Sequence, residues 1–388
     1  MDMFALWLLI AVAVGLGWVI GHHQRLAFSE ESSGSIDSSG EHPLALSYLF
    51  EAFDSPTVDS FVEQLEINER SAPLYLAIAN YYRKQGDLER STLIHQKLLG
   101  ESAIQDKLAS QVTFELSQDY MAAGLYDRAE SVLTGLLKDA DWHERSLLGL
   151  LEIYERERDW VVAREKALTL GSRKNKRINK RAAHYCCELA EAELRKSKRT
   201  NARDLAKEAL SIDKACVRGS LLLARVEVET GNFQAALNVL KQIEHQDASY
   251  VVESLDLAQE CCIQLDQREK FRRILDYVWE RQPSSKVLIK SAEVIAQLES
   301  TREATEFLQS KLDEFPSLTG LKVLIELLIP VADPEPKRWI RVVKGVMENI
   351  IHQEPTYRCE NCGFAGHTLH WQCPSCRQWA AVKPLLWT

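Results

Sequence analysis

From about residue 43 to residue 316, apolar positions fall in paired runs of helical period. The clearest pair begins Ala72-Pro-Leu-Tyr-Leu-Ala-Ile-Ala-Asn-Tyr-Tyr, which sets Ala79 and Tyr82 on one face. That run stops at Gly86, and a second helix starts at Asp87 and reaches Leu98. Residues three and four apart share a helix face, so each run predicts a helix with one side to bury. The phrase returns over 116–129, 150–163 and 223–236. Weaker copies fall at Leu189-Ala190 with Ala202, at Leu257-Ala258, and at Ala292 with Ala304 and Pro316. The predicted turns at Gly86, Gly124, Arg158, Ser197, Gly231, Leu265 and Glu299 are 38, 34, 39, 34, 34 and 34 residues apart. A period this regular implies stacked hairpins, each burying its face on its neighbours, with a concave side able to grip a partner. Residues 44–68 read as a degenerate capping repeat, and insertions near Glu101 and Lys174 as loops or lengthened helices. Two further helices, 318–329 and 336–352, follow. The second, with Trp339, Val342, Val343 and Val346, is expected to join the array to the tail, and because few linker-like residues intervene the tail is expected to dock on the last repeats.

The two ends differ from the array. Residues 3–20 are uncharged and apolar with Trp7 and Trp18, and His22, His23, Gln24 and Arg25 follow. Eighteen such residues cross most of a bilayer as a helix. A cleaved signal peptide would carry its positive charge ahead of the run, and a buried helix is the other alternative; the pattern favours an uncleaved anchor with the basic end, and so the bulk of the chain, in the cytoplasm. Residues 29–42 are small, polar and acidic, as a flexible linker is. The expected organisation is an anchor (1–21), a linker (22–42), helical repeats (43–316), terminal helices (317–354) and a metal-binding tail (355–388).

In the tail, Cys359 and Cys362 form one C-x-x-C and Cys373 and Cys376 a second. Each gap lets two sulfurs point into one turn, and two turns together supply a tetrahedron suited to structural zinc or rubredoxin-type iron. Gly363 follows the first pair where a turn needs positive φ. Four sulfurs close the shell, so the metal would hold structure, with His367 and His370 as strand or surface residues. Phe364, Trp371 and Trp379 are expected to pack against the neighbouring repeats, because so short a tail buries little core of its own. A redox disulfide pair is the rival reading; no βαβ pattern surrounds either pair.

The 388 residues carry a net charge of −9, which argues against a nucleic-acid partner. The adjacent pairs Cys186-Cys187 and Cys261-Cys262 make a poor extracellular disulfide framework and point to a reducing compartment. With Cys216 they read as small buried residues. No P-loop, G-x-S-x-G, H-E-x-x-H or dinucleotide fingerprint is present, so no catalytic residue is assigned and a non-enzyme is expected. The run Arg173-Lys-Asn-Lys-Arg-Ile-Asn-Lys-Arg181 reads either as a solvated insertion or as a contact for an acidic partner or anionic headgroups.

The hairpin phrase resembles the tetratricopeptide repeat, so the expected fold class is an all-α tetratricopeptide superhelix with an N-terminal transmembrane helix and a small rubredoxin-like or zinc-ribbon domain. The combination of apolar N-terminus, repeat array and the tail from Tyr357-Arg-Cys-Glu-Asn-Cys-Gly-Phe to Trp371-Gln-Cys-Pro-Ser-Cys-Arg-Gln-Trp379 resembles the lipopolysaccharide assembly protein B family of Gram-negative bacteria. The resemblance implies a rubredoxin-like domain ligating one iron or zinc through Cys359, Cys362, Cys373 and Cys376. Arg377 departs from it, standing where a rubredoxin knuckle has Gly, and the loop between the pairs is short. It further implies a single-pass inner-membrane adaptor, facing the cytoplasm, that promotes proteolysis of the deacetylase committing precursor to lipid A. The partner in that role is the membrane AAA+ zinc protease. The alternative is a scaffold gathering lipopolysaccharide synthesis and transport proteins at the inner membrane.

Overall fold

The computed structural model describes residues 67–387 apart from 69, 101–105, 171–174 and 331–333. The expected anchor, the linker and nearly all of the capping repeat lie outside the described residues. Among those described, no helix is long and apolar enough to cross a membrane. The chain forms two compact units, one ending at His143 and one running from Glu144 onward.

The first unit holds α1 (Ala72–Gln85), α2 (Leu88–Gly100), α3 (Asp106–Ala122) and α4 (Tyr126–Leu136). Pro73 sits in the first turn of α1, where its missing N–H costs nothing, and Gly86 ends the helix at φ 85°. Between α2 and α3 the buried Ser91, His95 and Asp119 side chains form a polar knot, with the partly exposed Arg83 of α1 at its edge. The Asp119 carboxylate accepts from Ser91 Oγ at 2.7 Å and from Arg83 Nη1 at 3.0 Å, and pairs with His95 Nδ1 at 2.6 Å. Asp119→Ala would strand Ser91 Oγ and His95 Nδ1 with little or no water to replace the lost acceptor, while Arg83 keeps Glu115, so it is expected to cost about 3 kcal/mol. A lower urea midpoint at unchanged m-value would register this; an unchanged midpoint would refute it.

The second unit continues with α5 (His143–Glu157), α6 (Trp160–Leu170), α7 (Lys176–Arg195), α8 (Arg199–Ile212), α9 (Val217–Glu229), α10 (Phe233–Leu240) and a short α11 (Ile243–Gln246). After a 3-10 turn at Ala248–Tyr250 come α12 (Val251–Gln264), α13 (Arg268–Arg281), α14 (Ser285–Leu298), α15 (Thr301–Glu314), α16 (Leu318–Leu328) and α17 (Pro334–Gln353).

One device closes six of the hairpins. Gly86, Gly124, Arg158, Ser197, Gly231 and Asp266 all adopt positive φ. In each case the next residue's N–H bonds back to the carbonyl five residues earlier, as Asp87 to Tyr82 at 2.9 Å and Asn232 to Glu227 at 2.8 Å. This is the Schellman closure, which satisfies carbonyls that a helix end leaves open. Five residues beyond each turn stands Ser91, Ala129, Ala163, Ala202, Ala236 or Phe271, all buried. Small side chains at five of these positions leave room for the facing helix. Two of the expected turns shift. The left-handed residue is Asp266 rather than Leu265, because the polar side chain tolerates that conformation better than leucine does. Glu299 has φ −117°, and the next helix is entered through a Ser300 cap on the Glu303 N–H instead.

Near Lys174, where a loop or a lengthened helix is expected, residues 171–174 lie outside the described residues, and the helix that follows, α7, is 20 residues long. The expectation for α17 is corrected. It packs on α16, with Met347 buried and Lys344 Nζ 2.8 Å from Glu326, but Trp339, Val342, Val343 and Val346 face outward, Trp339 at 62% exposure. They do not tie the array to the tail.

Candidate metal centre and its seat on the repeats

The tail is a three-stranded antiparallel sheet of β1 (Tyr357–Cys359), β2 (Ala365–Gly366) and β3 (Val382–Pro384) in the order β2-β1-β3. Two matching turns hang from it. In the first, Cys359 N–H donates to Phe364 O at 2.7 Å and Gly363 N–H to Cys359 O at 3.0 Å. In the second, Cys373 N–H donates to Gln378 O and Arg377 N–H to Cys373 O, both at 2.9 Å. Gly363 and Arg377 occupy the same place in the two turns, at φ 75° and 59°. Glycine meets that demand freely, whereas an arginine there costs about 1–2 kcal/mol.

These turns bring Cys359, Cys362, Cys373 and Cys376 together, with all four Sγ atoms within 4.8 Å of one another. Cys359 and Cys376 are 3.7 Å apart and Cys362 and Cys373 3.6 Å. A tetrahedron with metal–sulfur bonds of about 2.3 Å has edges of about 3.8 Å, so the donor set fits one four-coordinate ion. The Phe364 backbone N–H, then the neighbouring thiols, pull the Cys362 thiol down to about 6, against a smaller opposing effect of burial. Burial pushes the Cys373 thiol up to about 12. The four cysteines form a rubredoxin-like tetrathiolate site. Neither histidine joins them: His367 is exposed, and His370 sits 6.0 Å from the Phe364 ring.

The seat of this module is where the structure departs furthest from expectation. The tail does reach late repeats. Ser285 N–H donates to Leu386 O at 2.9 Å, and Trp387 stacks on Phe315 at 5.5 Å. It also runs back along α12 and α7 to α5. Tyr357 donates to Glu253, Tyr250 donates to Val382 O at 2.7 Å, and Lys383 pairs with Asp247. Trp371 packs 5.3 Å from Tyr250. Trp379, 5% exposed, stacks on His184 at 4.8 Å and meets Tyr185 and Trp160 edge-on. Burial, then Arg218 and Lys180, hold His184 well below the usual histidine range, so it meets Trp379 as a neutral ring. Phe364 instead packs inside the module, beside Cys359, Cys373 and Val382.

Glu155 on α5 is the polar centre of this contact and carried no sequence motif. Its Oε1 accepts from Trp379 Nε1 at 2.8 Å, Tyr185 OH at 2.6 Å and Arg181 Nε at 2.8 Å, and its Oε2 accepts from Gln372 Nε2 at 2.9 Å. Its side chain is 2% exposed. Arg181, from the basic run, is therefore engaged inside the fold. The five other cysteines are free and buried, as their positions in the helices suggested.

Tetratricopeptide-like hairpins bearing a docked rubredoxin-like tetrathiolate module define the class. The rubredoxin metal binding domain family matches residues 357–384. Over 384 residues the chain is 28% identical to lipopolysaccharide assembly protein B of Escherichia coli K12, covering 98% of this chain and 97% of that protein. It is also 28% identical to the Haemophilus influenzae protein of the same name, over 98% of each chain. A solved tetratricopeptide repeat protein from Parabacteroides merdae aligns with 67% of this chain at 12% identity and a TM-score of 0.33. The resemblance to lipopolysaccharide assembly protein B read from the tail and repeats thus extends along the whole chain.

Proposed function

We propose that this chain regulates lipopolysaccharide synthesis as a membrane-anchored, non-enzymatic adaptor facing the cytoplasm. In this reading it presents the lipid A-committing deacetylase to the membrane AAA+ protease. The supporting observation is the end-to-end similarity to lipopolysaccharide assembly protein B, which includes the apolar N-terminal run and the tetrathiolate tail. An anchor raises the local concentration of an adaptor beside a membrane protease, and a helical array offers extended surface to a client. One ion held by Cys359, Cys362, Cys373 and Cys376 would close the two turns on each other. Zinc suffices for that role, and iron would fill the same shell.

Depleting the chain is expected to lengthen the cellular half-life of the deacetylase several-fold, measured by blocking translation and following the enzyme by immunoblot. An unchanged half-life would refute the adaptor. Co-purification of several lipopolysaccharide synthesis enzymes with it would then favour the scaffold.

A further inference from the structure

Two local rules are broken beside the metal module, and both breaches face one cavity. The first is at the start of α7. A helix N-terminus carries partial positive charge and favours acidic residues, yet the first turn of α7 has none and holds Lys176 and Arg177 instead, with Lys180 and Arg181 on the turn that follows. The second is Arg377, an arginine at φ 59° in a turn position its twin fills with glycine. Residues that violate local preference without an internal reason are where function is to be sought.

Arg177, Lys180, Arg181 and Arg377 line a cavity of about 200 Å³ beside Cys376 and Trp379, together with Glu152 and Glu155. Both carboxylates have partners: Glu155 accepts four hydrogen bonds, one from Arg181, and Glu152 holds Arg156 at 2.7 Å. Arg177, Lys180 and Arg377 form no ion pair among the described residues. Arg377 Nε is buried with no hydrogen-bond partner, a donor aimed at nothing in the chain. Burial, then the nearby Lys383, push the Lys180 ammonium below the usual lysine range, against weaker upward pulls from Asp213 and Asp247.

We propose that this cavity binds a phosphate-type oxyanion, held by Arg177, Lys180 and Arg377 at the junction of the tetrathiolate module and α7. Three cations converging on a small polar cavity match the several oxygens of a phosphate group, and the α7 N-terminus adds to the attraction. The phosphate belongs either to a soluble phosphorylated compound or to a lipid headgroup. The site stands independently of the regulatory reading above.

The test is calorimetric titration of the purified full-length, metal-loaded chain at constant ionic strength, with inorganic phosphate and separately with short-chain phosphatidic acid below its micelle concentration. Saturable binding is expected. Arg377→Gly should weaken it at least about tenfold while leaving metal content and helicity unchanged, because glycine suits that φ. Lys180→Gln should weaken it similarly, and Arg302→Gln, on the exposed face of α15, should not. Binding of phosphate alone would identify a soluble ligand as sufficient. Binding of only the phosphatidic acid, lost in Arg377→Gly, would place the phosphate on a lipid. No saturable binding of either probe, or equal affinity in the native chain and Arg377→Gly, would overturn the proposal, as would equal weakening by Arg302→Gln.

Discussion

Cys359→Ser is expected to abolish stable metal binding and to melt the tail from the repeats while the helices persist. The sheet is too small to fold on its own core: its buried cluster is Cys359, Cys373 and Val382, and its strands are two or three residues long. Folding free energy must then come from the ion, on the order of 10 kcal/mol for a tetrathiolate zinc site as a whole. Losing one thiolate forfeits much of that. Bound metal, followed by elemental analysis, should fall well below one per chain. Trp371 and Trp379 should enter water, seen as a red shift of fluorescence, with far-UV helicity nearly intact. A strong chelator should produce the same end state in the native chain. Full metal content and native fluorescence in Cys359→Ser would remove Cys359 from the ligand set.

Glu155→Ala separates docking from metal binding. The substitution leaves the largely buried Trp379 Nε1, Tyr185 OH and Arg181 without their acceptor, and Arg181 becomes a largely buried charge with no counter-ion. Such losses cost about 3–5 kcal/mol. The module should keep its metal, because no thiolate is touched, but release its grip on α5 and α7. Limited proteolysis should then cut ahead of Tyr357 far faster than in the native chain, with metal retained until cleavage. Glu155→Gln keeps the shape and part of the hydrogen bonding, so an intermediate cleavage rate is expected. If Glu155→Ala lost metal as Cys359→Ser does, docking and metal closure would be one cooperative event; if it changed nothing, Glu155 would not be the centre of the contact.

In the second unit the tail contacts α5, α7, α12 and α14, so residues there serve an internal partner. The basic run divides likewise, with Arg181 spent on Glu155 and Arg177 and Lys180 left facing the cavity. Neither division shows in a charge count, because it depends on which helix face meets the tail.

What the sequence alone determined is short in range. A Schellman turn spans six residues and each cysteine turn about as many, so the residues that decide them are neighbours in the chain, and glycine spacing and C-x-x-C spacing were enough to read both. Of the turns that a non-glycine carries, Arg158 and Ser197 stand where the spacing put them, whereas at Asp266 the reading slipped by one residue, since several polar side chains tolerate the left-handed region. Only the tertiary structure decided where the module sits. Glu155 and Trp379 are 224 residues apart, and Tyr250 and Val382 are 132 apart. Their meeting follows from the summed rotations of the intervening hairpins, each small and none encoded in one local pattern. A lone glutamate in a helix rich in charge has no motif, and it becomes legible only when an indole, a phenol and a guanidinium are seen to converge on it.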